Sequence, residues 1–564
     1  MGKVNIDGVE YAFEGSHKLL TFALGVGVEI PYFCYHPAMS TPTNCRMCLV
    51  DVGFPATGPD RQPLYNDDGT PKINWGRKPA TSCNQDVFDG MHVRTQRTNP
   101  VIEKAQKGVL EFILINHPLD CPICDQAGEC PLQINTYKYG PEGSRFELNK
   151  IHKPKRVALG PNVMLDAERC INCTRCTRFT EEISKTNQLS IISRGESNFP
   201  ATAPGQTFDD PYSMNVVDLC PVGALTSADF RFKARVWEMN YTPSVCTECS
   251  RGCSVDVWVR DNLVLRQTPR ENPKVNQYWM CDEGRLAYGK FNANRVSGAK
   301  VVNDVPAELA DALAGVGESL KKHKDELLIV GSPYASLESN YALRKLADFL
   351  GAKTIYFVNR VEKGWGDDLL RRDERTPNAA ACRLLGFTET TLDELASKSA
   401  KLAFVMEDDG AAETLVAAGT PVISASHHYF PGYEKALVIL PAAMHVEANG
   451  TFINFQNVVQ VALQAKAIAR MTPEMWMAMP KSRLEAGGVA IDNWRNPENA
   501  VDCLPSWMLL SQIAKNIGAG FNFKSHGDVY KALQNEFEIV RTVKLPKRGR
   551  KEAFKMSQFE FALR

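Results

Sequence analysis

The chain has 564 residues, 44% of them hydrophobic, and its 65 basic and 65 acidic side chains cancel. That length exceeds one hydrophobic core and implies about three or four domains, while the balanced charge leaves no footprint for a nucleic-acid partner. The longest apolar runs, LEFILI and ALVILPAAM, fall far short of the roughly 20 residues that span a bilayer, and MGKVNIDGVEYAFE shows neither a signal-peptide core nor a transit-peptide composition, so the expectation is a cytosolic chain that reaches membranes through partners.

KVNIDGVEYAFE reads as two short strands around an Asp-Gly turn, followed by a helix through HKLLTFALGVG. Then the cysteines begin: the chain has seventeen, and fifteen of them lie between residues 34 and 281. Clustered cysteines without an export signal point to metal ligation rather than disulfides. The first group is Cys34, Cys45, Cys48 and Cys83. A hairpin, a helix and a cysteine-bearing loop suit a β-grasp [2Fe–2S] ferredoxin. The C-x2-C pair and the distant fourth cysteine follow the plant-type spacing, with the first gap widened. The Pro/Gly/Asp-rich stretch 54–80 reads as a surface insertion. A zinc ribbon is the alternative for this group.

In NHPLDCPICDQAGECPLQ, Cys121, Cys124 and Cys130 stand at ligand spacing without a fourth cysteine nearby. CINCTRC then supplies Cys170, Cys173 and Cys176, and DLCPVGAL supplies Cys220, the bacterial ferredoxin run with its remote Cys-Pro. Three thiolates so closely spaced wrap one face of a [4Fe–4S] cubane, and Cys220 closes the fourth corner. Cys246, Cys249, Cys253 and Cys281 form another four, with VDVWVRDNLVLRQTP alternating as two strands between them; zinc is again the alternative. Twelve cysteines are thus assigned to three complete sites, and the second group needs one more ligand. His117 completes it, since imidazole replaces thiolate on cluster iron in other centres. The alternatives are an open iron position or a reach to Cys382 or Cys503, the two cysteines of the remaining half.

From about residue 296 the pattern changes. KDELLIVGSPYASLESNYALRKLADFLGAKTIYFVN reads strand, helix, strand; KLAFVMEDDGAAETLVAAGTPVISAS repeats it, and KALVILP adds a buried strand, which together imply a doubly wound α/β region. Cys382, in AAACRLLGF, is expected as a core thiol on a helix. The glycines of AGVGES lack a dinucleotide-binding context. The basic tail LPKRGRKEAFK reads as a solvated end or a docking arm.

The ordered series Cys34-x10-Cys45-x2-Cys48…Cys83, His117-x3-Cys121-x2-Cys124-x5-Cys130 and Cys170-x2-Cys173-x2-Cys176…Cys220 resembles the large iron–sulfur subunit family of respiratory NADH:quinone oxidoreductase, complex I. The resemblance is dense over residues 1–290 and weaker beyond. It implies one [2Fe–2S] and two [4Fe–4S] clusters, with His117 as a ligand, and Cys246 to Cys281 resembles an extra [4Fe–4S] site of some bacterial members that lies off the main electron path. The implied role is a segment of an electron wire without a substrate site of its own. It would run from an NADH-reduced, FMN-bearing flavoprotein subunit to the iron–sulfur subunit next in the chain and on to quinone. The implied place is the peripheral arm, on the cytoplasmic side of a bacterial inner membrane, without direct membrane insertion. The expected domains are a [2Fe–2S] ferredoxin-like domain over 1–95, a helical, ferredoxin-like two-cluster [4Fe–4S] domain over 96–238, and a [4Fe–4S] module over 239–295. A degenerate α/β domain of the molybdopterin-oxidoreductase type follows over 296–564. No molybdopterin is expected, because Glu283 stands where active members carry a lysine two residues after the last cluster cysteine. Two enzymes remain as alternatives: the α subunit of an NAD-linked molybdenum or tungsten formate dehydrogenase, and the iron–sulfur subunit of an NAD-linked hydrogenase.

Overall fold

The computed structural model describes residues 1–60, 62–479 and 499–541, so the basic tail at 545–555 lies outside the described residues. The chain divides into two compact units, Met1–Val236 and Trp237–Arg564. Among the described residues no helix is long and apolar enough to cross a membrane.

The first unit opens with the expected hairpin. β1 (Gly2–Ile6) and β2 (Val9–Phe13) pair antiparallel around Asp7 and Gly8, whose φ values of 53° and 88° make the tight turn that suits the right-handed strand twist. The helix Leu19–Gly25 follows and buries Leu19, Leu20 and Ala23. They pack against a mixed sheet ordered β2-β1-β6-β3-β4, in which β6 (Met91–Arg94) runs parallel to β1, and β3 (Leu49–Pro55) and β4 (Ile73–Trp75) complete the row. This is the β-grasp arrangement, and its core includes Val4, Ile6, Val50, Cys48 and Cys83. The stretch 54–80 differs from a plain insertion. It is exposed for most of its length, but β4 pairs with the end of β3, and β5 (Ala80–Thr81) pairs with its start. The insertion thus begins and ends in the sheet, which fixes where Cys83 re-enters.

Helices Pro100–Leu114 and Pro131–Tyr139 come next. Asn99 caps the first by accepting from the Val101 N–H at 2.9 Å, and proline occupies the first helical position of both. Two small sheets complete the unit. One orders β11 (Leu225–Ser227), β8 (Val163–Leu165) and β7 (Val157–Ala158); the other pairs β9 (Ser190–Ile192) with β10 (Phe199–Ala201).

The second unit begins with a three-stranded antiparallel sheet of β12 (Asn240–Val245), β13 (Ser254–Arg260) and β14 (Leu263–Pro269). The alternation expected in β13 does not mark one exposed face. Six of its seven residues are buried, because the strand lies between two neighbours and is covered on both sides.

Beyond it lies an eight-stranded sheet. It contains β15 (Ala299–Val301), β16 (Val305–Ala307), β17 (Leu327–Val330), β18 (Ile355–Val358), β19 (Thr388–Thr390), β20 (Leu402–Met406), β21 (Val422–Ser426) and β22 (Val438–Pro441). The order is β16-β15-β22-β21-β20-β17-β18-β19, and the six strands from β17 to β22 run parallel. In chain order those six read 3-2-1-4-5-6 across the sheet, the doubly wound plan. Their sequences explain it: LLIV, LAFVM and VISAS are continuous apolar runs, as strands covered by helices on both faces require. Helix Leu337–Leu350 is capped by Ser336 and ends at Gly351, whose φ of 74° needs no Cβ. The glycines of AGVGES lie inside helix Leu309–Lys322, where Gly317 lets the helix approach Ile517. Cys382 sits in helix Ala379–Leu384, fully buried in the main core. β23 (Gly450–Ile453) and β24 (Val459–Ala462) form a last hairpin.

Candidate metal centres

The first cysteine group lies on the loop between the β-grasp helix and β3, with Cys83 contributed by the turn after β5. Thr43 and Arg46 take left-handed φ values of 55° and 57°, which curl the loop so that successive cysteines face inward. The Cys34 N–H points at the Cys45 sulfur at 3.5 Å. Ser82 fastens the fourth cysteine's turn to the third cysteine, donating from its N–H and its hydroxyl to the Cys48 carbonyl at 3.0 and 2.9 Å. The four thiols meet in pairs. The Cys34 thiol donates to Cys45, whose pKa falls to about 6, and Cys83 lowers Cys48 in the same way. Cys34, Cys48 and Cys83 are buried and Cys45 is half-buried.

The second group is carried by the turn after helix Pro100–Leu114. Lys150 closes that helix by donating to the Leu114 and Ile115 carbonyls at 2.9 and 2.7 Å. His117 is half-buried, yet its Nδ1 has no contact with solvent and no hydrogen-bond partner. Burial, followed by the positive charges of Arg169 and Lys150, pushes its pKa down to about 4, so the ring is a neutral donor near pH 7. Cys121 is exposed on a one-turn helix, Cys124 is buried, and Cys130 is buried at the start of helix Pro131–Tyr139. His117 and Cys124 feel the same buried guanidinium, that of Arg169.

In the third group, left-handed residues Asn172 and Thr174 (φ 52° and 61°) wind Cys170, Cys173 and Cys176 into a tight loop, and Cys220 arrives at the end of helix Asn215–Leu219. All four line one small cavity, closed by apolar groups such as Ile191 and Leu225. Burial raises their thiols, Cys170 to about 12 and Cys173 to about 11.

The fourth group belongs to the second unit. The loop between β12 and β13 carries Cys246, Cys249 and Cys253, closed by the Cys246 N–H on the Cys253 carbonyl at 2.8 Å. Cys281 caps helix Asp282–Leu286, its sulfur accepting from the Gly284 N–H at 3.4 Å. All four are buried. The α/β region ties this loop down: the Ser250 N–H donates to the Glu374 carbonyl at 2.8 Å, and Arg251 to the Leu370 carbonyl at 3.1 Å. Glu283 accepts from the Trp365 indole at 2.9 Å and pairs with Arg375, so it is a structural anion rather than a cationic coupler.

Sequence reasoning missed two glycines. A Cβ on Gly223 would lie 2.1 Å from the Cys124 sulfur, and one on Gly284 would lie 2.9 Å from Cys246 and 3.4 Å from Cys281 sulfurs. Both follow a cysteine by three residues, in Cys220-Pro-Val-Gly and Cys281-Asp-Glu-Gly, and that shared spacing was the available signal.

The residues fit iron–sulfur centres. Thiols raised by burial would stay protonated by themselves, whereas a coordinated metal deprotonates them outright. Backbone is drawn up to the sulfurs at glycines, and an orphaned imidazole nitrogen accompanies the incomplete cysteine set. Cys382 and Cys503, both fully buried in the core of the second unit, are held there by packing.

Each group falls within one matching family model. Residues 3–98 match the 2Fe-2S iron-sulfur cluster binding domain, and residues 106–145 the NADH-ubiquinone oxidoreductase-G iron-sulfur binding region. Residues 160–226 match the ferredoxin-like domain of NADH-quinone oxidoreductase subunit 3, and residues 239–293 the molybdopterin oxidoreductase Fe4S4 domain. Two of these four models, those over residues 106–145 and 160–226, are described for NADH-ubiquinone or NADH-quinone oxidoreductase. NADH-quinone oxidoreductase subunit 3 of Thermus thermophilus is 39% identical over 353 residues, 59% of this chain and 44% of the relative. Its counterpart in the NADH-quinone oxidoreductase of Streptomyces coelicolor is 36% identical over 373 residues, 65% of this chain and 42% of the relative. This chain therefore spans under half the length of these two relatives. A solved NAD+-reducing [NiFe]-hydrogenase in the H2-reduced state aligns with 42% of this chain and 91% of its own, at 24% identity and a TM-score of 0.34.

Proposed function

We propose that this chain is the iron–sulfur electron-transfer subunit of an NADH:quinone oxidoreductase. It would hold one [2Fe–2S] cluster on Cys34, Cys45, Cys48 and Cys83, and three [4Fe–4S] clusters on the other three groups, with His117 completing the second. When bound, the clusters supply one-electron carriers, and ligand type, burial and hydrogen bonds to sulfur set their potentials. The protein's part is to hold these centres apart from water and close to one another.

The observation that carries the reading is the position of the third group. On one side, Asn172 accepts from Asn44 at 3.1 Å, Arg175 donates to the Tyr35 carbonyl and Arg178 to the Cys34 carbonyl. On the other, Gly223 abuts the Cys124 sulfur, and the Cys130 sulfur lies 3.7 Å from the Pro221 carbonyl. The third group thus touches both others, and the order we propose for electrons is first, third, second. The second group is the surface end, because Cys121 is exposed with Leu119 and Ile123 beside it. Electrons would enter from an FMN-bearing flavoprotein subunit and leave to the next iron–sulfur subunit of the peripheral arm. That arm would lie on the cytoplasmic side of a bacterial membrane, and in the whole complex the transfer is coupled to proton translocation. The fourth group would be a side centre, and the α/β region a scaffold without molybdopterin.

The test is iron analysis and EPR of the purified complex reduced with NADH. About fourteen iron atoms from this chain, in one two-iron and three four-iron centres, are expected in addition to the iron of the other iron–sulfur subunits, with both types of signal. A spectrum lacking either type, or stoichiometric molybdenum or tungsten, overturns the reading. Within it, His117→Ala should remove or distort one four-iron signal and leave the other centres intact; an unaltered spectrum would return the histidine to an ordinary turn.

A further inference from the structure

The three short segments that hold the first three groups are not joined by apolar packing alone. Arg169 precedes Cys170 directly, but its side chain leaves the third group and runs to the loop of the second. There its Nε and Nη2 donate to Asp120 Oδ2 at 3.0 and 2.8 Å, and Asp120 immediately precedes Cys121. The side chain is 4% exposed. Asp166 lies 3.3 Å from Nε, and Lys155 bridges Asp120, Asp166 and Glu168 at 2.6, 3.4 and 2.9 Å. Two cations therefore share three carboxylates beside His117. Among the charges that act on His117 and on Cys124, that of Arg169 is the largest.

We propose that Arg169, reaching from the residue before Cys170 to the loop of His117 and Cys121, sets the reduction potential of the second centre. The inference rests on the reading of these four residues as cluster ligands. Reduction adds one negative charge to the centre. A guanidinium cannot shed its proton and this one is shielded from salt and water, so its field favours the reduced form with little screening. Removing it does more than delete one positive charge, because Asp120 and Asp166 then face the centre with less compensation. Arg169 is a positioning residue in this sense: it acts through charge and through the placement of the Asp120 loop, without touching the reacting atoms. Its effect is local, since the third group's Cys173 and Cys220 answer instead to Arg175, joined at Cys173 by Arg178, which also donates to the Cys34 carbonyl.

The experiment is an EPR-monitored redox titration of the intact complex, following the four-iron signal that His117→Ala removes. Arg169→Gln should lower the reduced fraction of that centre at a fixed potential at least tenfold, which is 59 mV for a one-electron couple, and Arg169→Lys should restore most of it. Asp120→Asn should move the same signal the opposite way, and Arg178→Gln should leave it in place. Titrations of Arg169→Gln that superimpose on the parent overturn the proposal. So do shifts of the same sign in Arg169→Gln and Asp120→Asn, which would mean a structural role. Should Arg169→Gln fail to assemble the centre, the sign of the Asp120→Asn shift decides. Failure of the underlying reading would look different: the parent complex itself would show no four-iron signal sensitive to His117.

Discussion

Glu447→Gln is expected to destabilise the second unit by about 3–5 kcal/mol, the cost of stripping a buried ion pair of one partner. Glu447 is fully buried, and it is the carboxylate shared by two buried cations: Arg295, 5% exposed, and Lys466, 2% exposed. Arg295 also donates to the His427 and Ala442 carbonyls at 2.9 and 3.1 Å, Lys466 donates to the Phe291 carbonyl at 2.7 Å, and Glu447 takes the Met444 N–H at 3.0 Å. One cluster of charges thus joins the end of the cysteine module, the turn between β22 and β23 and the segment after β24. Burial alone would raise the Glu447 pKa, but Arg295 and then Lys466 outweigh it and hold the carboxyl below its usual range.

In the variant two like charges remain in a low dielectric. Scanning calorimetry of the full chain should show the second unit's transition lowered by roughly 10 °C. The loss should shrink as pH rises from 7 towards 10. Burial already depresses the Lys466 pKa, and without Glu447 it falls further. An amine depressed in the folded state binds fewer protons than in the unfolded state, so stability grows with pH across that window. A variant with an unchanged transition, or with a loss that deepens at high pH, would contradict this account of the joint.

What the sequence could and could not disclose follows from the range of the contacts involved. The cysteine motifs stood out as candidate ligands because cluster chemistry imposes short spacings: Cys121 to Cys124, or Cys170 to Cys176, are local patterns, whereas Cys83, Cys220 and Cys281 lie farther along the chain and His117 came from the count of unassigned cysteines. The doubly wound sheet was legible because parallel strands covered on both faces must be apolar throughout, as LAFVM and VISAS are. The adjacency of the third group to both others was not. It rests on contacts across more than a hundred residues, such as Arg178 with Cys34, or across about ninety, such as Cys130 with Pro221. No spacing rule reports these. The three-residue strands β15, β16 and β19, of which β16 and β19 are the sheet's edges, escaped notice because three residues are too few to show a period. The charges at 295, 447 and 466 were invisible for a related reason, since each looks solvated in its own segment and only the fold brings them together.

Gly223 is the sharpest case, and its replacement is the second change expected to have a large effect. Gly223→Ala should remove the same four-iron centre as His117→Ala, with a loss of about four irons per chain and the remaining centres intact. The reason is space rather than backbone freedom, since Gly223 is not among the glycines with positive φ. An alanine Cβ would sit 2.1 Å from the Cys124 sulfur and 3.2 Å from the Gln126 Cβ, far inside contact distance. Neither neighbour can yield easily. Arg235 holds the Cys124 carbonyl, and a sulfur bound to iron is fixed at its far end. Overpacking of this kind ordinarily costs about 1–3 kcal/mol, a fraction a large protein absorbs, so the chain should still fold and the defect should be confined to the metal. Quantitative EPR with iron analysis on the purified complex distinguishes the outcomes. A variant retaining all its iron and the second four-iron signal would show that Cys124 can withdraw from Gly223, and the close approach of the third group's turn to the second would then be dispensable for holding that centre.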